Sequence, residues 1–142
     1  MSKIAVIFWS MSGNTEAMAQ AIAQGAQEAG AEVDVLPVTD VTVDQALGYD
    51  KLALGCPAMG AEVLEETEFE PFFSALESRL GGKKVALFGS YGWGDGQWMR
   101  DWQARTEGDN ANLYQEGLIL NETPDEAGLA QCRSFGAGFA AY

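Results

Sequence analysis

Histidine does not occur in this sequence, and cysteine occurs only twice. The absence of histidine removes the usual general base, the commonest metal ligand and every catalytic triad built on an imidazole. The two cysteines, Cys56 and Cys132, have no CxxC partner and lie in apolar or helical surroundings, so both are expected to be buried thiols. The sequence therefore lacks the commonest arrangements for metal binding and for catalysis by a serine or cysteine nucleophile.

Basic residues are scarce. The 8 lysines and arginines stand against 21 aspartates and glutamates, and the formal net charge is −13. This balance argues against a nucleic-acid partner, because contacts to phosphates need lysine and arginine. No basic residue occurs between positions 4 and 50 or between positions 52 and 78. An anion held in the first half of the chain would have to be bound by neutral donors.

Long apolar runs are also missing. The first apolar run, Ile4 to Trp9, has six residues after a single Lys3, which is too short for a signal-peptide core or a membrane span. A cytoplasmic protein that binds no membrane is therefore expected. With 142 residues, 47% hydrophobic and 20% charged, the composition predicts one soluble globular domain over residues 1–142.

Strand and helix patterns alternate along the chain. Continuous apolar or alternating runs predict strands, and helical spacing of apolar residues predicts helices. The predicted strands cover residues 4–9, 33–38, 51–56, 83–89 and 113–120, and the predicted helices cover 15–29, 41–47, 69–80, 97–106 and 124 to nearly 142. This alternation predicts a doubly wound α/β fold with a five-stranded parallel sheet, but the periodicity leaves the strand order open.

Three unusual loops follow predicted strands one, three and four: residues 10–15, 57–66 and 90–96. In a parallel sheet the carboxyl ends of the strands lie at one edge, and ligands bind there. The three loops are therefore expected to converge on one binding site.

The first loop has the composition of an anion site. A glycine permits a tight turn, and helix N–H groups, three hydroxyls and one amide surround it. The loop reads Ser10, Met11, Ser12, Gly13, Asn14 and Thr15. It matches neither the GxxxxGK[ST] nucleotide loop nor GxGxxG, and a simple Ser/Asn helix cap is the alternative interpretation.

The second loop is apolar and is followed by carboxylates. It begins Pro57, Ala58, Met59, Gly60, Ala61 and Glu62. Met59 is either core filler or an exposed ligand contact, and Gly60 permits two conformations of the peptide that follows it. Four further glutamates lie downstream, at positions 65, 66, 68 and 70. This side of the expected site is predicted to be strongly negative.

The third loop presents aromatic side chains on a glycine-rich backbone. It reads Ser90, Tyr91, Gly92, Trp93, Gly94, Asp95 and Gly96. Three glycines supply no walls to bury an indole, so Trp93 is expected to stack on a flat ligand. Sugar or peptide binding is the alternative for this aromatic loop.

Together the three loops resemble the flavodoxins of anaerobic bacteria, specifically the short-chain, clostridial-type subgroup. The resemblance covers the whole chain and rests on the segments at residues 9–16, 55–60 and 88–96. It implies strand order 2-1-3-4-5, one non-covalent FMN, and an electron carrier rather than an enzyme. Three departures from the subgroup's pattern are Met11, Pro57 and Ala61.

The resemblance also implies a role for individual residues. Ser10, Ser12, Asn14 and Thr15 would hold the FMN phosphate, with the Trp9 indole nearby. Met59 would cover one face of the flavin ring and Trp93 the other. Glu62 would accept a hydrogen bond from flavin N3–H, and the peptide after Gly60 would turn its carbonyl toward N5. The other expected binding residues are Met11, Gly13, Pro57, Ala58, Ala61, Ser90, Tyr91, Gly92, Gly94 and Asp95.

The function implied is low-potential transfer of single electrons between redox enzymes through the semiquinone and hydroquinone states of FMN. Partners with basic docking patches and a monomeric carrier are expected. The principal alternative is a flavodoxin-like reductase, either a quinone reductase or the flavodoxin that serves ribonucleotide reductase. A receiver module is disfavoured because the required acidic cluster and lysine are absent, and a low-molecular-weight phosphatase because the Cys-x5-Arg pattern from Cys56 ends in Glu62.

Overall fold

The computed structural model describes residues 2–142, and its strands and helices alternate as the sequence predicts. The strands are β1 (Lys3–Phe8), β2 (Glu32–Pro37), β3 (Lys51–Gly55), β4 (Lys84–Tyr91), β5 (Asn112–Leu113) and β6 (Leu118–Asn121). The helices are α1 (Asn14–Glu28), α2 (Val43–Leu47), α3 (Phe69–Glu77), α4 (Gln97–Gly108) and α5 (Glu126–Ala141). A 3-10 turn covers Val38–Asp40. Within residues 2–142, no helix is both long enough and apolar enough to span a membrane.

The sheet is parallel, with strand order β2-β1-β3-β4 followed by β5 and β6, which both pair with β4. The order 2-1-3-4-5 expected from the resemblance is thereby confirmed. β1 and β3 are buried along almost their whole length, as their continuous apolar sequences require for strands covered on both faces. The switch in strand order lies between β1 and β3, so the loops that follow these strands open on the same edge.

Apolar side chains form one core on each face of the sheet. One core packs against α1 and α5, and the other packs against α2, α3 and α4. α1 and α5 approach each other at Gly25 and Gly136, where a β-carbon would collide with the backbone of Arg133 and of Ile22. Close packing of these helices therefore requires glycine at both positions.

The predicted continuous fifth strand, residues 113–120, is wrong. Leu113 pairs with Val85, and Leu118 pairs with Phe88. The edge segment therefore advances five residues while β4 advances three, and two residues of the edge segment loop out. Gln115 has φ 52°, and a β-carbon at Gly117 would collide with Met99. The interruption splits the strand into β5 and β6 at the same edge of the sheet.

The end of β4 also differs from the prediction, which placed Ser90 and Tyr91 in a loop. Both residues continue the strand because they pair with Leu120 and Asn121 of β6. Other boundaries shift by one to three residues: α3 ends at Glu77 before two glycines, and α5 begins after Asp125, whose side chain caps it.

Candidate functional site

A cavity of about 200 Å³ opens at the carboxyl edge of the sheet, where the three predicted loops converge. Its lining comprises Ser10, Met11, Ser12, Asn14, Thr15, Pro57, Ala58, Met59, Ser90, Tyr91, Gly92 and Glu122. Eleven of these twelve residues are among those predicted from the sequence. Lysine and arginine are absent from this lining, and residues 2–142 contain no cluster of metal-ligating side chains. The cavity is therefore suited to a ligand held by neutral donors.

Ser10 and Gly13 shape the first loop. Ser10 Oγ accepts the N–H of Gly13 at 3.1 Å and the N–H of Glu16 at 3.3 Å. Gly13 has φ 92°, a left-handed conformation that favours glycine. Gly13 at the N-cap position supplies no capping side chain, but Ser10 Oγ caps the N–H of Glu16 in the first turn of α1, so a serine cap describes part of what this loop does. Asn14 and Thr15, the first residues of α1, line the cavity, and the N-terminus of a helix stabilises an anion.

Two hydroxyls meet beneath this loop. Thr15 Oγ1 lies 3.0 Å from Ser90 Oγ, and the N–H of Ser90 also donates to Thr15 Oγ1, at 3.4 Å. Both residues are buried, with 1% and 5% of their surface exposed. The first turn of α1, which follows the loop after β1, is thus hydrogen-bonded directly to the C-terminal end of β4.

The loop after β3 is a tight hairpin around Gly60. Met59 and Val63 exchange two backbone hydrogen bonds, at 2.8 and 2.9 Å, and Gly60 between them has φ 50°. This left-handed conformation favours glycine. Ala58 donates its N–H to the carbonyl of Ser90, which fixes the base of the hairpin to β4. Met59 is half-buried in the cavity wall rather than part of either core.

The base of this hairpin is also fixed by Glu65, which is buried. Its carboxylate accepts the N–H groups of Thr67, Glu68 and Phe69 and the hydroxyl of Thr67, at the start of α3. Burial raises the pKa of Glu65, but these hydrogen bonds outweigh burial and hold the pKa below its usual value. The backbone N–H of Glu65 donates to Cys56 Sγ at 3.3 Å.

Cys56 and Cys132 are both free and buried, as predicted. Burial raises the pKa of the Cys56 thiol to about 12. A thiol with this pKa is almost entirely protonated at neutral pH, and it serves here as a packing group and hydrogen-bond acceptor.

The two aromatic residues of the third predicted loop lie in different places relative to the cavity. Tyr91 is half-buried and packs against Trp98, with ring centroids 5.7 Å apart, so its prediction as a flexible loop residue is wrong. Trp93 is 65% exposed and outside the cavity lining, at the rim. An indole this exposed is available to stack on a ring that enters the cavity.

The other predicted residues lie around the cavity without lining it: Gly13, Gly60, Ala61, Glu62, Gly94 and Asp95 on the loops, and Trp9 behind the first loop. Trp9 lies in a neighbouring cleft, where its indole N–H donates to Glu68 Oε1 at 2.9 Å.

Glu122, which was not predicted from the sequence, lines the cavity and has φ 56°. It follows β6 at the same carboxyl edge, so the rule that identified the other loops could have identified Glu122.

The lysines are confined to the edge of the sheet opposite the cavity. All four lysines lie at the opposite edge, at or just before the first residues of β1, β3 and β4: Lys3, Lys51, Lys83 and Lys84. Lys51 is buried and donates to the carbonyls of Phe139 and Ala140 at the end of α5. Arg100, near the start of α4, is held by Asp95. The carboxyl edge is therefore left with a negative field.

Part of the predicted glutamate cluster is compensated. Glu70 is paired with Arg105 at 2.6 Å, and the hydrogen bonds from Arg105 lower the pKa of Glu70. The Glu65 carboxylate accepts the N–H groups of Thr67, Glu68 and Phe69, which satisfy its oxygens but leave its charge in place. Glu62, Glu66 and Glu68 also keep their charge, so the negative field on this side is weaker than the sequence count implies only through the pairing of Glu70.

The sequence pattern of the family described as "Flavodoxin" matches residues 6–136 of the chain. The chain belongs to the flavodoxin family. It is 51% identical to a flavodoxin of Clostridium beijerinckii over 131 residues, which cover 92% of this chain and 94% of that protein. It is 46% identical to a flavodoxin of Megasphaera elsdenii over 133 residues, which cover 94% and 95% of the two chains. The solution structure of the two-electron reduced M. elsdenii flavodoxin superposes with a TM-score of 0.89 at 45% identity, covering 98% of this chain and 99% of that one.

The family membership confirms the predicted resemblance and identifies FMN as the cofactor. As a flavodoxin, the chain is an electron carrier and not an enzyme. The cavity fits the cofactor's chemistry: uncharged hydroxyls, an amide and helix N–H groups suit a phosphate at one end, and Met59, Tyr91 and Trp93 suit a flat ring at the other.

Proposed function

We propose that this flavodoxin holds the FMN phosphate in the loop after β1 and the flavin ring between the loops after β3 and β4, and that it transfers single electrons between redox proteins. The cavity at the carboxyl edge carries this proposal, because its polar end and its apolar end are built from different loops that meet there. When bound, FMN supplies the redox chemistry. The chain's residues bind it, orient it and set the electrostatic cost of each added charge.

Neutral donors hold the phosphate in this proposal. Ser10, Ser12, Asn14 and Thr15 line the cavity beside the start of α1, and no lysine or arginine is present among the described lining residues. Hydrogen bonds from hydroxyl and N–H groups satisfy the phosphate oxygens, but they do not neutralise the charge. The site therefore keeps a negative charge that opposes the addition of further negative charge to the ring.

Met59, which is fixed on the hairpin, and Trp93, which is exposed beside the cavity, would enclose the ring. Glu62 would accept a hydrogen bond from flavin N3–H. Its carboxylate already accepts the N–H of Gln97 at 3.1 Å, and a carboxylate has enough lone pairs for a second donor. The α4 terminus thus holds Glu62 in place beside the ring.

Gly60 supplies the acceptor for a proton at flavin N5. The two backbone bonds between Met59 and Val63 hold both ends of the hairpin, so the Gly60–Ala61 peptide can rotate without moving the rest of the loop. The Gly60 carbonyl would then accept an N5–H, which the ring carries only in its protonated form. Each ~1.4 kcal/mol of such preference shifts a one-electron potential by about 59 mV.

We also propose which partner proteins the carrier meets and that it is a monomer. The negative carboxyl edge favours partner proteins with basic docking patches, and a cytoplasmic monomer suits a carrier that meets one partner at a time. Sedimentation of the FMN-loaded protein tests the monomer, since a dimer at micromolar concentration would contradict it.

Anaerobic titration with dithionite tests the central claim. We expect a yellow protein that is reduced in two separate one-electron steps, with a long-wavelength intermediate spectrum after the first. A single two-electron step would overturn single-electron transfer. A protein that stays colourless after addition of FMN would overturn the cofactor site, and rapid NADPH oxidation with a quinone would favour the reductase alternative.

A further inference from the structure

We propose that Ser90 is a positioning residue for the phosphate site, because its hydrogen bonds to Thr15 turn the hydroxyl hydrogen of Thr15 toward the phosphate. The inference rests on the proposed placement of the FMN phosphate and deepens it. Ser90 has no need to touch the phosphate itself in this arrangement. It acts through Thr15.

The geometry leaves Thr15 few choices. A threonine hydroxyl has one hydrogen and two lone pairs. The N–H of Ser90 donates to Thr15 Oγ1 at 3.4 Å, and Ser90 Oγ lies 3.0 Å from the same atom. When the Ser90 hydroxyl also donates to Thr15 Oγ1, both lone pairs of that oxygen are used. The Thr15 hydroxyl hydrogen is then free to donate to a ligand in the cavity.

A phosphate selects this direction of the hydrogen bonds. The pair Thr15 and Ser90 can be oriented either way, since each hydroxyl can donate to the other. A phosphate near the first loop offers only acceptors, so the arrangement in which Thr15 donates outward and Ser90 donates to Thr15 is stabilised. Both hydroxyls are buried, which makes an unsatisfied orientation costly.

The backbone of Ser90 is held in place from two sides. Ser90 pairs with Leu120 in the sheet, and its carbonyl accepts the N–H of Ala58 from the loop after β3. The residue that orients Thr15 is therefore carried by a central strand instead of a loop. Because Ser90 is already ordered by the strand, orienting Thr15 for ligand binding costs less conformational entropy than it would with a partner on a free loop.

The test compares FMN with riboflavin, which has the same ring and no phosphate. The full-length apoprotein is titrated with each ligand in the wild type, in Ser90→Ala, in Thr15→Val and in the double variant. Thr106→Val is the matched control, since Thr106 is a buried hydroxyl that bonds the carbonyl of Trp102 within α4, away from the cavity.

We expect Ser90→Ala to weaken FMN binding by about three- to tenfold and to leave riboflavin binding unchanged. Thr15→Val should weaken FMN by about tenfold or more, because it removes a donor to a charged group. Ser90→Ala should then add little in the Thr15→Val background, because its route to the phosphate is gone. The affinity of inorganic phosphate, measured by its competition with FMN for the apoprotein, should also fall less in Ser90→Ala than in Thr15→Val.

Two results would overturn the inference while leaving the proposed function intact. One is an equal loss of FMN and riboflavin affinity in Ser90→Ala, which would mean that Ser90 only supports the fold of the ring loops. The other is full additivity in the double variant. By contrast, a wild type that binds FMN no better than riboflavin would overturn the proposed phosphate site and this inference with it.

Discussion

Glu62 accepts the backbone N–H of Gln97 at 3.1 Å and lies against Gly94, where a β-carbon would be 2.6 Å from the Glu62 carboxyl carbon. Glu62 itself has φ 55°, which is uncommon for a residue other than glycine. The loops after β3 and β4 are thus joined through one carboxylate. This contact sets the spacing between the two loops that are proposed to enclose the flavin ring.

Replacing Gly94 with alanine should disrupt that contact. Gly94 has φ 86°, so the variant combines backbone strain with a collision against Glu62, and we expect a loss of about 2 kcal/mol in the free energy of unfolding. FMN affinity should fall as well, because the loop spacing changes. Urea unfolding and FMN titration measure the two effects. Gly82→Ala is the control, since Gly82 has φ 76° and open space around it, and equal losses in the two variants would contradict the contact.

Removing the Trp93 indole should weaken FMN without unfolding the protein. Trp93 is 65% exposed and contributes little to either core, so Trp93→Ala should leave the free energy of unfolding of the apoprotein nearly unchanged. Loss of stacking should raise the FMN dissociation constant by about tenfold. The quenching of flavin fluorescence should decrease in the same titration. Tyr142→Ala removes a partly exposed aromatic ring at the C-terminus and should change neither the FMN dissociation constant nor the quenching of flavin fluorescence.

Substitution at Gly60 should act on the potentials and spare the affinity of oxidised FMN. No atom lies within 4 Å of a β-carbon at Gly60, so there is space for the β-carbon of Gly60→Thr, but the φ of 50° disfavours a β-branched residue. The rotation of the Gly60–Ala61 peptide becomes costly. We expect the separation of the two one-electron potentials to shrink by tens of millivolts, about 59 mV for each ~1.4 kcal/mol. Potentiometric titration measures it, with Gly82→Thr as the control for positive φ, and an unchanged separation would exclude the proposed rotation.

The site was predictable from the sequence because it depends on topology. Loops that follow parallel strands lie at one edge, so the convergence of residues 10–15 and 57–62 needs only the positions of the strands. The strand order came from the resemblance, since periodicity carries no information on neighbours. Ser90 and Tyr91 were misplaced because glycines around them suggest a loop, whereas their pairing with β6 depends on a residue 30 positions away.

Contacts between helices were not predictable in the same way. The pairing of Arg105 with Glu70 depends on how α3 and α4 are rotated on the sheet, which the sequence count of glutamates does not contain. The interruption between β5 and β6 had a signal in the polar run of Gln115, Glu116 and Gly117. Its geometry depends on the Met99 side chain, which fills the space beside Gly117.

The apoprotein should become more stable between pH 7 and pH 5 because of Asp109. Burial and the neighbouring Glu77 raise the pKa of Asp109 to about 6, above its unfolded value of about 3.8, although Arg105 acts in the opposite direction. The folded state therefore binds a proton that the unfolded state does not, and this contribution is lost as the pH rises through 6. Arg105 lowers the pKa of Glu70 and Glu77, so their contribution is lost only in more acidic solution.

Urea unfolding at pH 7 and pH 5 measures this gain, which we expect to be of order 1 kcal/mol after allowance for solvent screening. Asp109→Asn should remove the gain, because the amide does not titrate. Asp40→Asn, at an exposed carboxyl, should retain it. An identical pH dependence in Asp109→Asn and the wild type would show that the proton is bound elsewhere.

Electron transfer to a basic acceptor protein should slow as salt is added. The lysines lie at the edge opposite the cavity, and carboxylates such as Glu66 remain exposed beside it, so the molecule presents its negative edge to the partner. Stopped-flow oxidation of the reduced protein at ionic strengths from about 0.01 to 0.3 M covers the range in which the Debye length falls from about 30 Å to below 10 Å. Glu66→Gln should reduce the salt dependence, whereas Glu28→Gln, at the far end of α1, should not. Because steering acts on encounter, the rate at high salt should be nearly the same in all three proteins. A rate that is flat with salt in the wild type would exclude a basic partner surface opposite the cavity.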